Sequence, residues 1–255
     1  MNLLTQFLYL VGSGASAYIM ARNIADSQTR PNLLAGFQMA ESGAVPFLTA
    51  LSDRAAAEGD EWLAQQLAKH ANDERRHGQI FANGLKQMNK QIIDLEKARE
   101  EEAAKPPEER RRSPFFDAYY RGYEAADLKP DRISWDVFLG STHILELDAC
   151  KDLTLMAKAL PLNDPRNVTL QKGIFSIAQD EAGHAAYLKE AMLRRYDYAT
   201  VERLIDNWRT RKVDALMAMS INMLQRGGNV PAMARDGAPS EMMEEQEPAT
   251  ETIAA

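Results

Sequence analysis

Apolar positions recur at helical spacing in six stretches of the chain. From Asn32 to Ala57 the stripe reads Leu34, Phe37, Ala44, Val45, Leu48 and Leu51; from Asp60 to Lys97 it reads Leu63, Leu67, Phe81 and Leu85. A third stretch, Ser134 to Leu160, carries Phe138, Leu153 and Ala157, and a fourth, Pro165 to Arg195, carries Ile174, Ile177, Leu188 and Met192. The pattern predicts an all-α chain built on a four-helix bundle over residues 32–226. Two further helices flank it. Residues 1–25 place Leu3, Leu4, Phe7, Leu8, Val11, Ala15, Tyr18 and Ile19 against a more polar side, which predicts an amphipathic helix docked on the bundle. Thr200 to Gln225, with Val201, Leu204, Ile205, Trp208, Leu216 and Met223, is expected to pack across one end.

The informative positions are the polar ones inside the apolar seams. Glu41 lies in the first seam; His70, Glu74 and His77 in the second; Glu146, with His143 one turn before it, in the third; Glu181 and His184 in the fourth. Glutamates facing an apolar interior repel one another and are costly to desolvate unless cations neutralise them. Two of these positions form a repeated motif: Asp73-Glu74-Arg75-Arg76-His77 and Asp180-Glu181-Ala182-Gly183-His184. A Glu and a His three residues apart project from one helix face and can close on one metal ion. With 17 Asp and 20 Glu in 255 residues, Asp-Glu at these offsets should precede a given His by chance about once in 190. Two of the four histidines carry it.

A carboxylate-bridged dimetal site in a helical bundle needs one more Glu from each of the other two helices. Glu41 stands 33 residues before Glu74, and Glu146 stands 35 before Glu181. In an antiparallel hairpin, residues at equal height are equidistant from the turn. The midpoint of the first pair falls at Ala57-Glu58-Gly59-Asp60 and that of the second at Asn163-Asp164-Pro165, both helix breakers. Glu41, Glu74, His77, Glu146, Glu181 and His184 are therefore the candidate metal ligands. Two divalent ions would balance four carboxylates, and this mixed oxygen and nitrogen set suits iron, with manganese or a mixed pair also accommodated, better than zinc. Asp73, Asp180, His70 and His143 are candidate hydrogen-bond partners that orient the ligands from behind.

The rest of the composition narrows the reading. A net charge of −7 argues against nonspecific nucleic-acid binding. The single cysteine, Cys150, excludes an internal disulfide and any four-cysteine iron or zinc site, so electrons must come from outside. No Lys or Arg precedes Arg22, so the apolar start lacks the basic region of a secretory signal and the expected location is cytoplasmic. Residues from about 98 to 133, charge-rich and then aromatic at Phe115, Phe116, Tyr119, Tyr120 and Tyr123, read as a long crossover, and residues 227–255 as a disordered acidic tail.

The six ligand positions, over Asn32 to Arg195, resemble the ferritin-like di-iron carboxylate superfamily. Asp73-Glu74-Arg75-Arg76-His77-Gly78 and Ile177-Ala178-Gln179-Asp180-Glu181-Ala182-Gly183-His184 look like its oxygen-activating branch: soluble acyl-carrier desaturases, bacterial multicomponent hydroxylases and ribonucleotide reductase small subunits. The resemblance implies a non-haem di-iron oxidoreductase of oxygenase, hydroxylase or desaturase type. It implies dioxygen, a small apolar or acyl substrate, a ferredoxin or flavin reductase as electron donor, and a homodimer. The alternative is a rubrerythrin-like peroxidase or a ferritin-like iron-oxidising protein.

Overall fold

A computed structural model describes residues 3–92, 104, 113–225 and 232–237. Among these the elements are α1 (Leu3–Ala25), α2 (Arg30–Ala57), α3 (Glu61–Lys86), β1 (Lys90–Ile92), α4 (Pro114–Tyr119), α5 (Trp135–Ala159), α6 (Pro165–Leu193), α7 (Tyr198–Gln225) and β2 (Ala234–Asp236). Helices α2 and α3 form one hairpin, α5 and α6 the other, and α3 meets α6 where the hairpins join. The breakers expected at the two turns act as caps. The Asp60 carboxylate accepts the Leu63 N–H at 3.0 Å to start α3, and Asp164 accepts the Arg166 N–H at 2.9 Å to start α6, with Pro165 in its first turn.

The bundle core has two apolar parts. One contains Leu48, Leu51, Leu63, Leu67, Ile144 and Leu188; the other contains Leu34, Phe81, Leu85, Leu153, Ile174 and Ile177. Along every bundle helix the candidate ligands fall between a residue of the first part and a residue of the second. The polar cluster is thus sealed by aliphatic and aromatic side chains above and below, which removes water from around its charges.

Several boundaries differ from those the sequence predicts. Helix α3, predicted to reach Lys97, ends at Lys86, because Asn89 takes a left-handed φ of 53° and turns the chain into β1. The tail, expected to be disordered from residue 227, contributes β2, which pairs antiparallel with β1 (Lys90 opposite Asp236). The Met233 N–H donates to Asn32 Oδ1, and Lys90 is 2.6 Å from Asp236. The run Glu244-Glu245-Gln246-Glu247 and most of the crossover up to residue 112 lie outside the described residues.

Helix α1 does dock, but by the face opposite to the one its apolar stripe predicts. Leu3, Leu4, Phe7, Val11, Tyr18 and Ile19 are exposed, whereas Tyr9, Ala17 and Ile24 are buried. What holds it is a buried polar lock. The Tyr9 hydroxyl donates to the Asp148 carboxylate at 2.7 Å, and Lys212 of α7 lies 2.6 Å from the same carboxylate. Among the described residues α1 is the one helix long and apolar enough to cross a membrane, with a mean hydropathy of 1.3 over 18 residues.

Helix α7, expected across one end, instead lies on the flank formed by α5, α1 and α4. Its anchor is Trp208, buried against Tyr119, Tyr120 and Tyr123 and seated over Gly140, where a Cβ would come within 2.5 Å of the indole. The aromatic cluster therefore packs as cover. Trp208→Ala is expected to cost about 3–5 kcal/mol of stability, read as a drop in the denaturation midpoint without loss of the metal ligands.

Candidate metal centre

The hairpins bring all six predicted ligands together. Glu41, Glu74, His77 and Glu181 place one ligand atom each within 4.8 Å of one another, and so do His70, Glu74, Glu146 and His184. Glu74 belongs to both groups, and Glu181 touches both motif histidines, at 3.2 Å from His77 Nδ1 and 3.2 Å from His184 Nδ1. His77 Nδ1 also faces Glu41 at 3.7 Å and Glu74 at 3.8 Å. Glu74, His77, Glu181 and His184 are all buried.

The close approach of α2 and α3 depends on Gly78, directly after His77. A Cβ there would lie 2.5 Å from Ser42 Oγ, the residue next to Glu41. The sequence offered that glycine as part of the motif but gave it no role.

The outer nitrogens of the motif histidines are satisfied crosswise. His77 Nε2 donates to Asp180 of α6 at 3.1 Å, and His184 Nε2 donates to Asp73 of α3 at 3.3 Å. Each Asp-Glu pair therefore supplies a ligand glutamate and, from the preceding residue, an acceptor for the other helix's histidine. Arg76 in turn donates to Asp180 and to Ser176 at 3.0 Å. Such partners fix the tautomer so that Nδ1 presents a lone pair inward. Asp73→Asn and Asp180→Asn are each expected to weaken metal binding about 10–100-fold in a chelator competition; unchanged affinity would remove the carboxylates from this role.

His143 lies elsewhere. Its Nδ1 pairs with the Ala185 carbonyl at 2.8 Å, so it ties α5 to α6 instead of orienting a motif histidine. His70, by contrast, is inside the cluster, 1% exposed, with Nε2 3.0 Å from Glu74 and 3.4 Å from Glu146. Its other nitrogen meets the Tyr187 hydroxyl at 2.7 Å. Tyr187 carries no sequence signal, since an aromatic three residues after His184 on an apolar face reads as ordinary core.

The electrostatics of the cluster follow from its burial and from its own charges. Burial pushes the Glu41 and Glu146 carboxyls well above the usual range, helped by Glu74 at the first and by Glu181 at the second. Burial likewise raises Glu74, to about 7. Burial opposes the charge on His77, but contacts with Glu181 and Glu41 outweigh it and hold the imidazolium to about 10. Glu181 is pulled below the usual range, since its contacts with Glu146, His184 and His77 outweigh its burial. Burial, then the neighbouring His184, lowers His70 to about 3, so its ring is neutral. Cations bound there would compete with protons for the same carboxylates and imidazole. His77 Nδ1 adds a second sign: it is buried, points at three carboxylates and makes no hydrogen bond. An unpartnered buried nitrogen among carboxylates fits a metal ligand.

A family model described as Rubrerythrin matches residues 32–126, which span α2 and α3 with Glu41, Glu74 and His77. With the bundle and the paired Glu-x-x-His motifs in place, that match over residues 32–126 supports the ferritin-like di-iron carboxylate superfamily. Comparisons with curated proteins and with solved structures return no match. The second half of this ferritin-like centre, Glu146, Glu181 and His184, lies beyond the matched residues and rests on its own geometry. The match implies iron binding, and the donor set fits two such ions.

Proposed function

We propose that this ferritin-like protein is an oxygen-dependent di-iron oxidoreductase that oxidises an apolar organic substrate with electrons from an external donor. Glu41, Glu74, His77, Glu146, Glu181 and His184 would hold the two ions, or manganese in one or both positions. When bound, such a pair supplies a two-electron redox centre able to reduce dioxygen. The chain's own residues keep that chemistry dry, since the cluster is closed between the two parts of the apolar core.

The observation that carries the reading is an apolar pocket of about 850 Å³ beside α2. Ile19, Leu33, Phe37, Ala40, Met223 and Met233 line it. Ala40 directly precedes Glu41, and Phe37, one turn back, stacks on Phe81 at a centroid distance of 5.2 Å. Phe81 is itself one turn beyond His77. None of the candidate ligands lines the pocket, and Phe37, which does, stands between it and Phe81, so a substrate approaching the ions from this side would have to pass Phe37. The family match favours a second reading, a rubrerythrin-like peroxidase, for which no organic pocket is needed.

Anaerobic loading with ferrous iron, followed by separate mixing with dioxygen and with hydrogen peroxide, tests the choice. The oxygenase reading expects oxidation by dioxygen to accelerate in the presence of medium-chain alcohols, aldehydes or acyl thioesters, and Ala40→Trp, which narrows the pocket beside Glu41, to reduce that acceleration. Faster reaction with peroxide, indifferent to organic additives and to Ala40→Trp, would move the protein to the peroxidase reading.

A further inference from the structure

We propose that His70 is a seventh protein ligand, so that the centre is asymmetric, with one histidine on one ion and two on the other. The inference depends on the cluster holding metal and is independent of whether dioxygen or peroxide is the oxidant. It rests on a pattern shared by three histidines. His77 turns Nδ1 toward the glutamates and Nε2 toward Asp180; His184 turns Nδ1 toward Glu181 and Glu74 and Nε2 toward Asp73. His70 has the same two-sided arrangement with the ring reversed: Nε2 faces Glu74 and Glu146, and Nδ1 faces the Tyr187 hydroxyl. Each imidazole therefore has one nitrogen aimed inward and an anchor behind the other.

Distances favour a shared ion. With metal–ligand bonds of about 2.1 Å, neighbouring donors around an octahedral or tetrahedral ion stand about 3.0 to 3.4 Å apart. His70 Nε2 lies 3.0 Å from Glu74 Oε1 and 3.4 Å from Glu146 Oε1. His184 belongs to the same group, with its ring stacked on His70 at 3.7 Å between centroids. His70 and His184 together make this the nitrogen-rich position, whereas His77 is the sole imidazole in the group with Glu41.

The anchors differ as well. His77 and His184 lean on carboxylates, which raise the donor strength of an imidazole, while His70 leans on a neutral phenol, whose oxygen can accept a hydrogen bond from Nδ1–H and so leave the Nε2 lone pair directed inward. Tyr187 is accordingly a positioning residue, locking the His70 tautomer without touching the metal. The two positions should then differ in affinity, the one with two imidazoles filling first with the metals that favour nitrogen donors.

The test counts histidine ligands on the whole protein loaded with Co(II). Each ligating imidazole retains one ring N–H, which gives a hyperfine-shifted, solvent-exchangeable proton signal. Three such signals are expected in the native chain and two in His70→Gln. In a Co(II) titration, His70→Gln is expected to weaken one of the two ions by more than the roughly 10–100-fold of a lost outer partner and to leave the other within about twofold. Tyr187→Phe is expected to keep three signals, with one exchanging faster and its ion bound more weakly. Two shifted N–H signals in the native chain would make His70 an outer hydrogen-bond partner and overturn the proposal. So would a His70→Gln variant that binds both ions with native affinity.

Discussion

Glu74→Ala and Glu181→Ala are each expected to leave the protein able to hold at most one metal ion, with its helices intact. The reason is position. Glu74 is common to both groups of ligand atoms, and Glu181 contacts the inward nitrogens of both motif histidines. Removing Glu74 would take a donor from both groups, and removing Glu181 a carboxylate facing both motif histidines, and with either would go charge that could hold two cations close together. Glu41 and Glu146 each sit at one end, next to one group. Glu41→Ala and Glu146→Ala should therefore spare one ion at near-native affinity. For Glu74 and Glu181 the loss should exceed the roughly 10–100-fold that follows from losing an outer partner. Helix content should survive, since alanine is a strong helix former and the substitution removes a buried carboxyl that is costly without metal. Metal content after dialysis, read beside far-ultraviolet circular dichroism, checks both halves. Two ions per chain in either the Glu74 or the Glu181 variant would overturn the ligand assignment.

That experiment is designed on residues visible in the sequence, and the reason is physical. Glu41, Glu74, Glu146 and Glu181 are conspicuous because an acid inside an apolar seam contradicts the pattern around it, and the hairpin geometry that aligns them depends only on helix rise and on the breakers at Gly59 and Pro165. Asp73 and Asp180 are adjacent to the motif, but their crosswise pairing depends on how α3 and α6 meet, which no single helix records. The orientation of α1 was hidden for a similar reason. Periodicity reports which face is apolar, whereas docking follows the buried Asp148–Lys212 pair and the hydroxyl of Tyr9, whose partners lie more than a hundred residues away. Tyr187 and His143 show the same limit: an inward-facing tyrosine has one hydroxyl and an inward-facing histidine two ring nitrogens, and only the neighbouring helix decides what each meets. The β1–β2 pairing joins Lys90–Ile92 to Ala234–Asp236, with Lys90 opposite Asp236 146 residues on, and no hydrophobic repeat announces it.

Metal-free protein is expected to lose stability as the pH rises from 7 to 9, and bound metal to restore more than is lost. His77 binds its proton to about 10 in the fold against an ordinary 6.5, and Glu41 and Glu146 are also raised. A group whose folded pKa lies above its unfolded value stabilises the fold at low pH, and that contribution disappears as the pH climbs through the folded value. Glu74, raised to about 7, has largely lost its share by the start of this window. His70 acts in the opposite sense, but only between about 3 and 6.5, so it is neutral in both states here. Glu181, pulled below its ordinary value, contributes a constant amount above 4.5. Metal reverses the trend because the ions replace protons on the same atoms, so binding strengthens with pH until those protons are gone. At a hundredfold excess over Kd each site adds about 3 kcal/mol. For a chain of this size that corresponds to a rise of roughly 5–10 °C in Tm per site. Melting curves at half-unit steps from pH 6 to 9, with chelator and with Mn(II) or Co(II), measure the difference between the two forms, in which remote groups cancel. A metal-dependent increment that shrinks as the pH rises would show that the buried carboxylates and His77 are not the atoms the metal takes.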